Sequence, residues 1–179
     1  MAWALIVDGS VDTVYNNARD VTIDNILHSK EIFKSWSDSE RAAIGIYPVT
    51  AGTKKDDDYY DNGNPSYSWN SGTKKVTESY SPSARTLSTV KAEQTNILNN
   101  VASNLIKPYT WLAERKTFAN TDIPDAVTSY VGNVRTACST ATTNVANASD
   151  VDAVATAVGN VSWPDNSSAS SYARDTRGG

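Results

Sequence analysis

The sequence has a single cysteine, Cys138, a single histidine, His28, and methionine only at position 1. One cysteine excludes an intrachain disulfide framework and an all-thiolate metal site. One histidine excludes the His-pair zinc motifs. No apolar run is long enough to span a bilayer, and Met1 is followed by no charged-then-apolar leader. Positive charge is also in deficit, with 16 Lys+Arg against 20 Asp+Glu and a formal net charge of -4. Nucleic-acid binders need a gathered basic surface to displace counterions, and here the cations are scattered, so the chain is a poor candidate for that class. Glycines stand singly and form no phosphate cradle.

What the chain does have is aromatic and neutral polar. Five tryptophans and nine tyrosines stand among abundant serine, threonine and asparagine. Such a surface presents flat rings and many uncharged hydrogen-bonding groups, which suits packing against another protein.

The chain is organised around residues 83–107, bracketed by Pro82 and Pro108. Leu87, Val90, Ile97, Val101 and Leu105 recur at steps near three and four. Gln94 falls in the same stripe, and Leu98 and Ile106 widen it. This spacing predicts an amphipathic helix capped by Ser81 or Ser83 and stopped by Pro108. Its stripe either packs on the helices that follow or self-associates as a coiled coil, with Gln94 and Asn104 as polar register residues.

The segment before this helix reads as short strands and turns. Asp8-Gly9 between two apolar runs predicts a hairpin over residues 2–15. Residues 21–36 are ambiguous, with Val21, Ile23, Ile26 and Leu27 strand-like and Ile32, Phe33 and Trp36 on one helical face. Ser37 and Glu40 form a capping box for a short helix ended by Gly45, and an extended path resumes at Ile46. Residues 51–81 predict a meander of three strands with Tyr60, Tyr67, Trp69 and Tyr80 on or across its faces.

Beyond Pro108 a second helix is expected to 116, then a loop and a third helix capped by Asp122. That helix carries Val127, Val131 or Val134, Cys138 and Val145 inward. A last helix opens at Ser149-Asp150 and ends at Gly159. Residues 165–179 hold too little apolar surface to fold without a neighbouring chain. The fold class is therefore α+β: a small antiparallel β-rich docking module of hairpins and a meander with one short helix over residues 1–81, a helical hairpin or small bundle over 82–164, and a polar tail over 165–179.

Catalytic chemistry finds no support. Asp56, Asp57, Asp58, Asp61, Asn62 and Asn64 suggest calcium, but measured back from Gly63 the third loop position is Tyr60 and the closing position is Trp69. His28 among many serines makes no triad, which geometry defines. Cys138, on the apolar side of a helix, reads as a small core residue. Three Asn-x-Ser sequons, at Asn147, Asn160 and Asn166, are what chance gives in so Asn/Ser-rich a chain. No cofactor, metal or enzymatic activity is expected.

Two stretches resemble one family. Ala4-Leu5-Ile6, Asp8-Gly9 and Val11, then Ile32-Phe33-Lys34-Ser35-Trp36 and the run from Ser39 to Val49, resemble the amino-terminal module of tail-fibre-associated proteins from marine tailed bacteriophages. Residues 92–138 resemble their helical region, through Lys91-Ala92-Glu93, Trp111, Arg115, Ile123-Pro124, Tyr130 and Val134-Arg135, with Trp163-Pro164 at the end. The chain departs from the pattern at Thr110, where an acid is usual, and at Ala126 or Val127, where an aromatic is usual. The resemblance implies a virion tail or fibre component, or a chaperone for fibre assembly, and carries no catalytic residues.

The expected function is thus docking within a phage tail, with the chain assembled in the host bacterial cytoplasm. Its partners would be other tail or fibre proteins and copies of itself in a symmetric assembly, with no nucleic acid and no membrane. A fibre-assembly chaperone and a carbohydrate-binding module are the alternatives. Tyr67 and Trp69, on one strand face, could hold a partner or stack on a sugar. Trp111 and Arg115, one helical turn apart, are of the types that dominate interfaces, although the sequence slightly favours Trp111 as core with Arg115 paired to Glu114 or Asp122. Arg135 and Trp163 complete the candidate interface residues.

Overall fold

A computed structural model describes residues 1–174. The fold is α+β, with strands and short helices first and long helices after. It divides into two compact units, one of Met1–Ser83 and one beginning at Ala84.

In the first unit, β1 (Trp3–Val7) and β2 (Ser10–Tyr15) pair antiparallel around Asp8 and Gly9. Both turn residues have positive φ, 50° and 76°, the geometry that Asp-Gly tolerates and that matches strand twist. The ambiguous stretch resolves into a second hairpin. β3 (Val21–Ile23) and β4 (Ile26–His28) are joined by Asp24 and Asn25 at φ 50° and 62°. A short helix, α1 (Ile32–Ser35), follows, then α2 (Asp38–Ala43). The capping box is formed: Glu40 N–H donates to Ser37 Oγ at 3.3 Å, and Ser37 N–H donates to Glu40 Oε2 at 2.7 Å. Gly45, at φ 78°, follows α2, where a Cβ would lie 3.0 Å from the Ile6 carbonyl oxygen.

Further strands of this unit are β5 (Ile46–Thr50), β6 (Tyr60–Asp61), β7 (Ser66–Asn70) and β8 (Lys75–Ser79). They do not form the expected three-strand meander. The main sheet runs β2-β1-β5-β8-β7, with β8 joining β5 in parallel through Val49 and Val76, and β6 lies outside it. The physical reason is local. The Asn62 amide takes both backbone groups of Lys55, accepting from its N–H at 2.9 Å and donating to its carbonyl at 2.8 Å. That clamp folds residues 55–62 into a turn, while pairing with β5 lets Val76 become fully buried.

One sheet face carries Trp3, Leu5, Tyr15 and Ile46, packed with Val21, Ile23, Ile32 and Phe33 into a core. By register the other face carries Ala4, Tyr47, Val49, Trp69 and Val76. The two edge strands, β2 and β7, are in contact, so the sheet curls toward closure.

The second unit starts later than the prolines suggest. Its first helix, α3, spans Leu87–Ile106, with Thr86 at the N-cap making no side-chain cap bond. Neither Ser81 nor Ser83 caps it, and the Ser83 hydroxyl instead donates to the Asp61 carbonyl at 3.5 Å. The buried row is Val90, Gln94, Leu98 and Ala102, a strict four-residue spacing that leaves Ile97 exposed. That row is the ridge a helix offers when it packs obliquely on neighbours, and α5 (Asp125–Asn147) and α6 (Val151–Gly159) occupy it. The seam is therefore used within the chain.

A 3-10 turn at Lys107–Tyr109 leads into α4 (Trp111–Ala119). Asp122 does not cap α5. Pro124 holds that position, and Asp122 pairs with Lys116 at 3.3 Å. Along α5 the buried residues are Val127, Tyr130, Val134, Cys138, Ala141 and Val145, with Val131 half-buried. Asp150 caps α6 by accepting from Ala153 N–H at 2.8 Å.

Residues 165–174 need no neighbour to order them. Ala169 is fully buried in the core formed by Tyr109, Leu112, Tyr130 and Val134. Arg174 N–H donates to the Pro108 carbonyl at 3.0 Å. One small buried side chain and a few backbone bonds suffice, which a count of apolar residues does not reveal. The rest of the expected tail, residues 175–179, lies outside the described residues.

Candidate functional site

Tyr67 and Trp69 stand on the same face of β7, both half-buried and both engaged by their own unit. The Trp69 ring lies 4.3 Å from that of Tyr47, tilted by 44°. The Tyr67 hydroxyl donates to Glu78 Oε1 at 3.2 Å, and the Tyr80 hydroxyl donates to the same oxygen at 3.0 Å. Glu78 Oε2 accepts from Gly52 N–H at 3.0 Å. Glu78 thus ties two tyrosines and the 51–54 segment to one carboxylate. The Gly52 amide, then the two hydroxyls, hold its pKa below the ordinary 4.5, with nearby Lys54 assisting. Tyr67 is raised above 10.0, first by burial and then by the Glu78 charge it would have to share.

The sign of the pH effect follows. A carboxylate with depressed folded pKa stabilises fully above its unfolded pKa and loses that contribution as pH falls through the folded value. Glu78→Gln should cost about 1 kcal/mol at pH 7, discounted for solvent exposure. The gap between variant and wild type should close below the ordinary carboxylate range, as read by urea unfolding at pH 7 and pH 3. A gap that does not narrow between pH 7 and pH 3 would disprove the carboxylate's role.

Trp111 and Arg115 are brought together on α4, with the guanidinium 5.1 Å from the indole centroid. Both are engaged by their own unit. Trp111 Nε1–H donates to the Tyr172 carbonyl at 3.1 Å, and Arg174 stacks 3.7 Å over the same ring. Arg115 Nη2 donates to the Asp122 carbonyl at 3.3 Å, a backbone rather than a carboxylate partner. Trp163 packs, partly buried, against the same core as Trp111. Arg135 differs from these: it is exposed on α5 and has no ion-pair partner among the described residues.

No protein-family model, curated protein or solved structure matches this chain.

Apart from Met1, the most exposed large apolar groups are ones the sequence reading did not single out. Ile26 and Leu27, at the start of β4, are 60% and 72% exposed, and Phe118, in the last turn of α4, is 88% exposed. A signal for the first pair was present. Asp24-Asn25 between Ile23 and Ile26 is a turn dipeptide between β-prone residues, which leaves Ile26 beside the turn, and the hairpin face that Leu27 shares with Thr22 has nothing on it. Phe118 had a weaker one, a lone aromatic between Thr117 and Asn120.

The titratable groups weighed for chemistry are used structurally. His28 meets Trp36 edge-on at 6.0 Å. Cys138 is buried with Sγ 3.4 Å from Asn99 Oδ1. Asp56 accepts from Asp58 N–H, Asp57 from Asn62 Nδ2, and Asp61 from Gly63 N–H. These acids therefore point at their own turn. Among the described residues no three of His, Cys, Asp or Glu gather to hold a metal, and no helix is long and apolar enough to cross a membrane.

Proposed function

We propose that this protein is a structural, tail- or fibre-associated component of a tailed bacteriophage virion, acting by docking to other proteins and without catalysis. The carrying observation is that each unit holds a large apolar side chain out in solvent on an ordered element, Leu27 with Ile26 on the hairpin and Phe118 on α4. Ordered apolar protrusions of this kind lose little conformational freedom on binding and serve as anchors in protein interfaces. The phage context rests on the resemblance of the opening hairpin, the capped helix and the Trp111–Arg115 segment to tail-fibre-associated proteins. Partners in this reading are other tail or fibre proteins and further copies of the chain, and the location is the virion tail.

Mass spectrometry of purified virions tests the placement. The chain is expected at a stoichiometry fixed relative to the other tail proteins. Its absence from particles, with fibres lost when the gene is deleted, would replace this reading with that of an assembly chaperone. Leu27→Asp and Phe118→Asp test the anchors. Each should cut incorporation about tenfold or more, since a central interface anchor contributes roughly 2 kcal/mol or more. Circular dichroism of the free protein should not change, because both side chains are outside the cores. Full incorporation of both variants would sink the docking assignment.

A further inference from the structure

The second unit contains a cleft of about 410 Å³ where the end of α3, the 3-10 turn and α4 face the first half of α5. Its walls are mainly apolar, from Ile106, Tyr109, Ala113, Ile123, Val127 and Val131, with Thr110 and Thr128 among them. The volume lies within the usual range for ligand pockets, and the mixture of apolar wall with a few polar groups is also typical of them. Arg135 is its one charged lining residue, exposed and unpaired among the described residues. Among the described residues no acid lines the cleft.

A second feature is independent of the cleft's shape. Tyr109 is 4% exposed, and its hydroxyl has no hydrogen-bond partner among the described residues. Its ring is held edge-on against Tyr130 at 5.4 Å, so it is fixed in place. Buried polar groups are almost always satisfied, and an unmet one is costly enough to call for a reason. That hydroxyl is closed off from solvent, so Arg135 is the charged donor the cleft offers, and a guanidinium beside an apolar wall favours an acceptor carrying negative charge.

We infer that this cleft binds a segment of a partner protein that presents a bulky apolar side chain beside a carboxylate. The apolar side chain fills the space between Ile106 and Val131, and the carboxylate meets Arg135. A segment with lysine beside the apolar group is refused, because its charge would be desolvated against Arg135 with no acid to meet it. This site rests on the reading that the protein works by docking, and it names the chemistry of one docking partner.

The test is an amide-shift titration of the full ¹⁵N-labelled chain with three capped tetrapeptides. They are glycine–phenylalanine–aspartate–glycine, the same peptide with lysine for aspartate, and the same with glycine for phenylalanine. The first should shift amides of residues 127–135 and Ala113, and bind about tenfold or more tighter than the other two. Gly132→Phe should abolish those shifts, since Gly132 lines the cleft and a side chain there meets nothing within 4 Å. Arg135→Glu should reverse the preference between the aspartate and lysine peptides, and as an exposed position it leaves the fold alone. Equal binding of the aspartate and lysine peptides, shifts confined to other parts of the chain, or no shifts up to the peptides' solubility would each overturn the proposal. Any of those results leaves the Leu27 and Phe118 anchors standing, because virion incorporation reads them separately.

Discussion

Leu112→Ala is expected to lower the stability of the helical unit by about 3 kcal/mol, within the roughly 2–5 kcal/mol range for truncating a fully buried leucine. Leu112 has no exposed surface and lies among Ala102, Tyr109, Val127, Tyr130, Val134 and Ala169. It is also the only buried residue of α4, a helix of nine residues. A helix that short is marginal in water by itself and depends on its tertiary contacts. Loss of the leucine should therefore do more than open a cavity. It should release the element that carries Trp111, Arg115 and Phe118. Two measurements check this. Urea unfolding followed by circular dichroism gives the stability loss, and hydrogen exchange should quicken across residues 111–119 more than across the middle of α5. Phe118→Ala is the control, expected within about 0.5 kcal/mol of wild type because the ring touches little. A Leu112→Ala loss below about 1 kcal/mol with unchanged exchange in α4 would refute the anchoring role.

The second large effect is Arg41→Ala in the β-rich unit, expected to cost about 2–4 kcal/mol. Arg41 is buried, and its guanidinium lies 4.0 Å from the Trp3 ring centroid. Nη1 donates to the Ile32 carbonyl at 2.9 Å and to the Trp36 carbonyl, while Nη2 donates to Asp38 Oδ1 at 2.7 Å. One side chain thus satisfies two carbonyls at either end of α1 and stacks on the sheet core. Removing it leaves those carbonyls without a donor and empties space against Trp3. The ion pair itself contributes little, because Asp38 is mostly exposed. Asp38→Ala is accordingly expected to cost no more than about 1 kcal/mol. Arg41→Lys should recover only part of the loss, since an ammonium lacks the planar fork that serves the two carbonyls through Nη1 and Asp38 through Nη2 while lying over the Trp3 ring. Thermal unfolding of the three variants separates these terms. Equal losses for Arg41→Ala and Asp38→Ala would show the ion pair to be the source.

Where patterns are local, the reading from residues alone matches the fold. Asp8-Gly9 and the Ser37–Glu40 capping box are decided by the chemistry of neighbouring residues, and both form as their sequence implies. The helix before Pro108 forms, as do the buried Val127, Cys138 and Val145 of α5. Caps were less legible. Ser81, Ser83 and Asp122 are good capping types, yet Thr86 and Pro124 hold the positions because hydrogen bonds and an ion pair from elsewhere engage Ser83 and Asp122. The candidate interface residues illustrate the same limit. Tyr67, Trp69, Trp111, Arg115 and Trp163 are of the right types, but Glu78, Tyr47, Tyr172, Arg174 and Asp122 engage the first four, and Trp163 packs on the core.

What the sequence by itself determined is the set of things that act over a few residues. These are turn dipeptides, a capping box, proline stops, and the apolar period that makes α3 and α5 helices facing a core. Residue type and spacing are sufficient there because the interacting groups are held within one or two turns of backbone. Only the tertiary structure decided which partner each surface meets: β8 beside β5, α3 on α5 and α6, Ala169 beneath Leu112. It alone left Ile26, Leu27, Phe118 and the cleft at Arg135 uncovered. Burial depends on distances between residues far apart in the chain, and no local pattern encodes those distances.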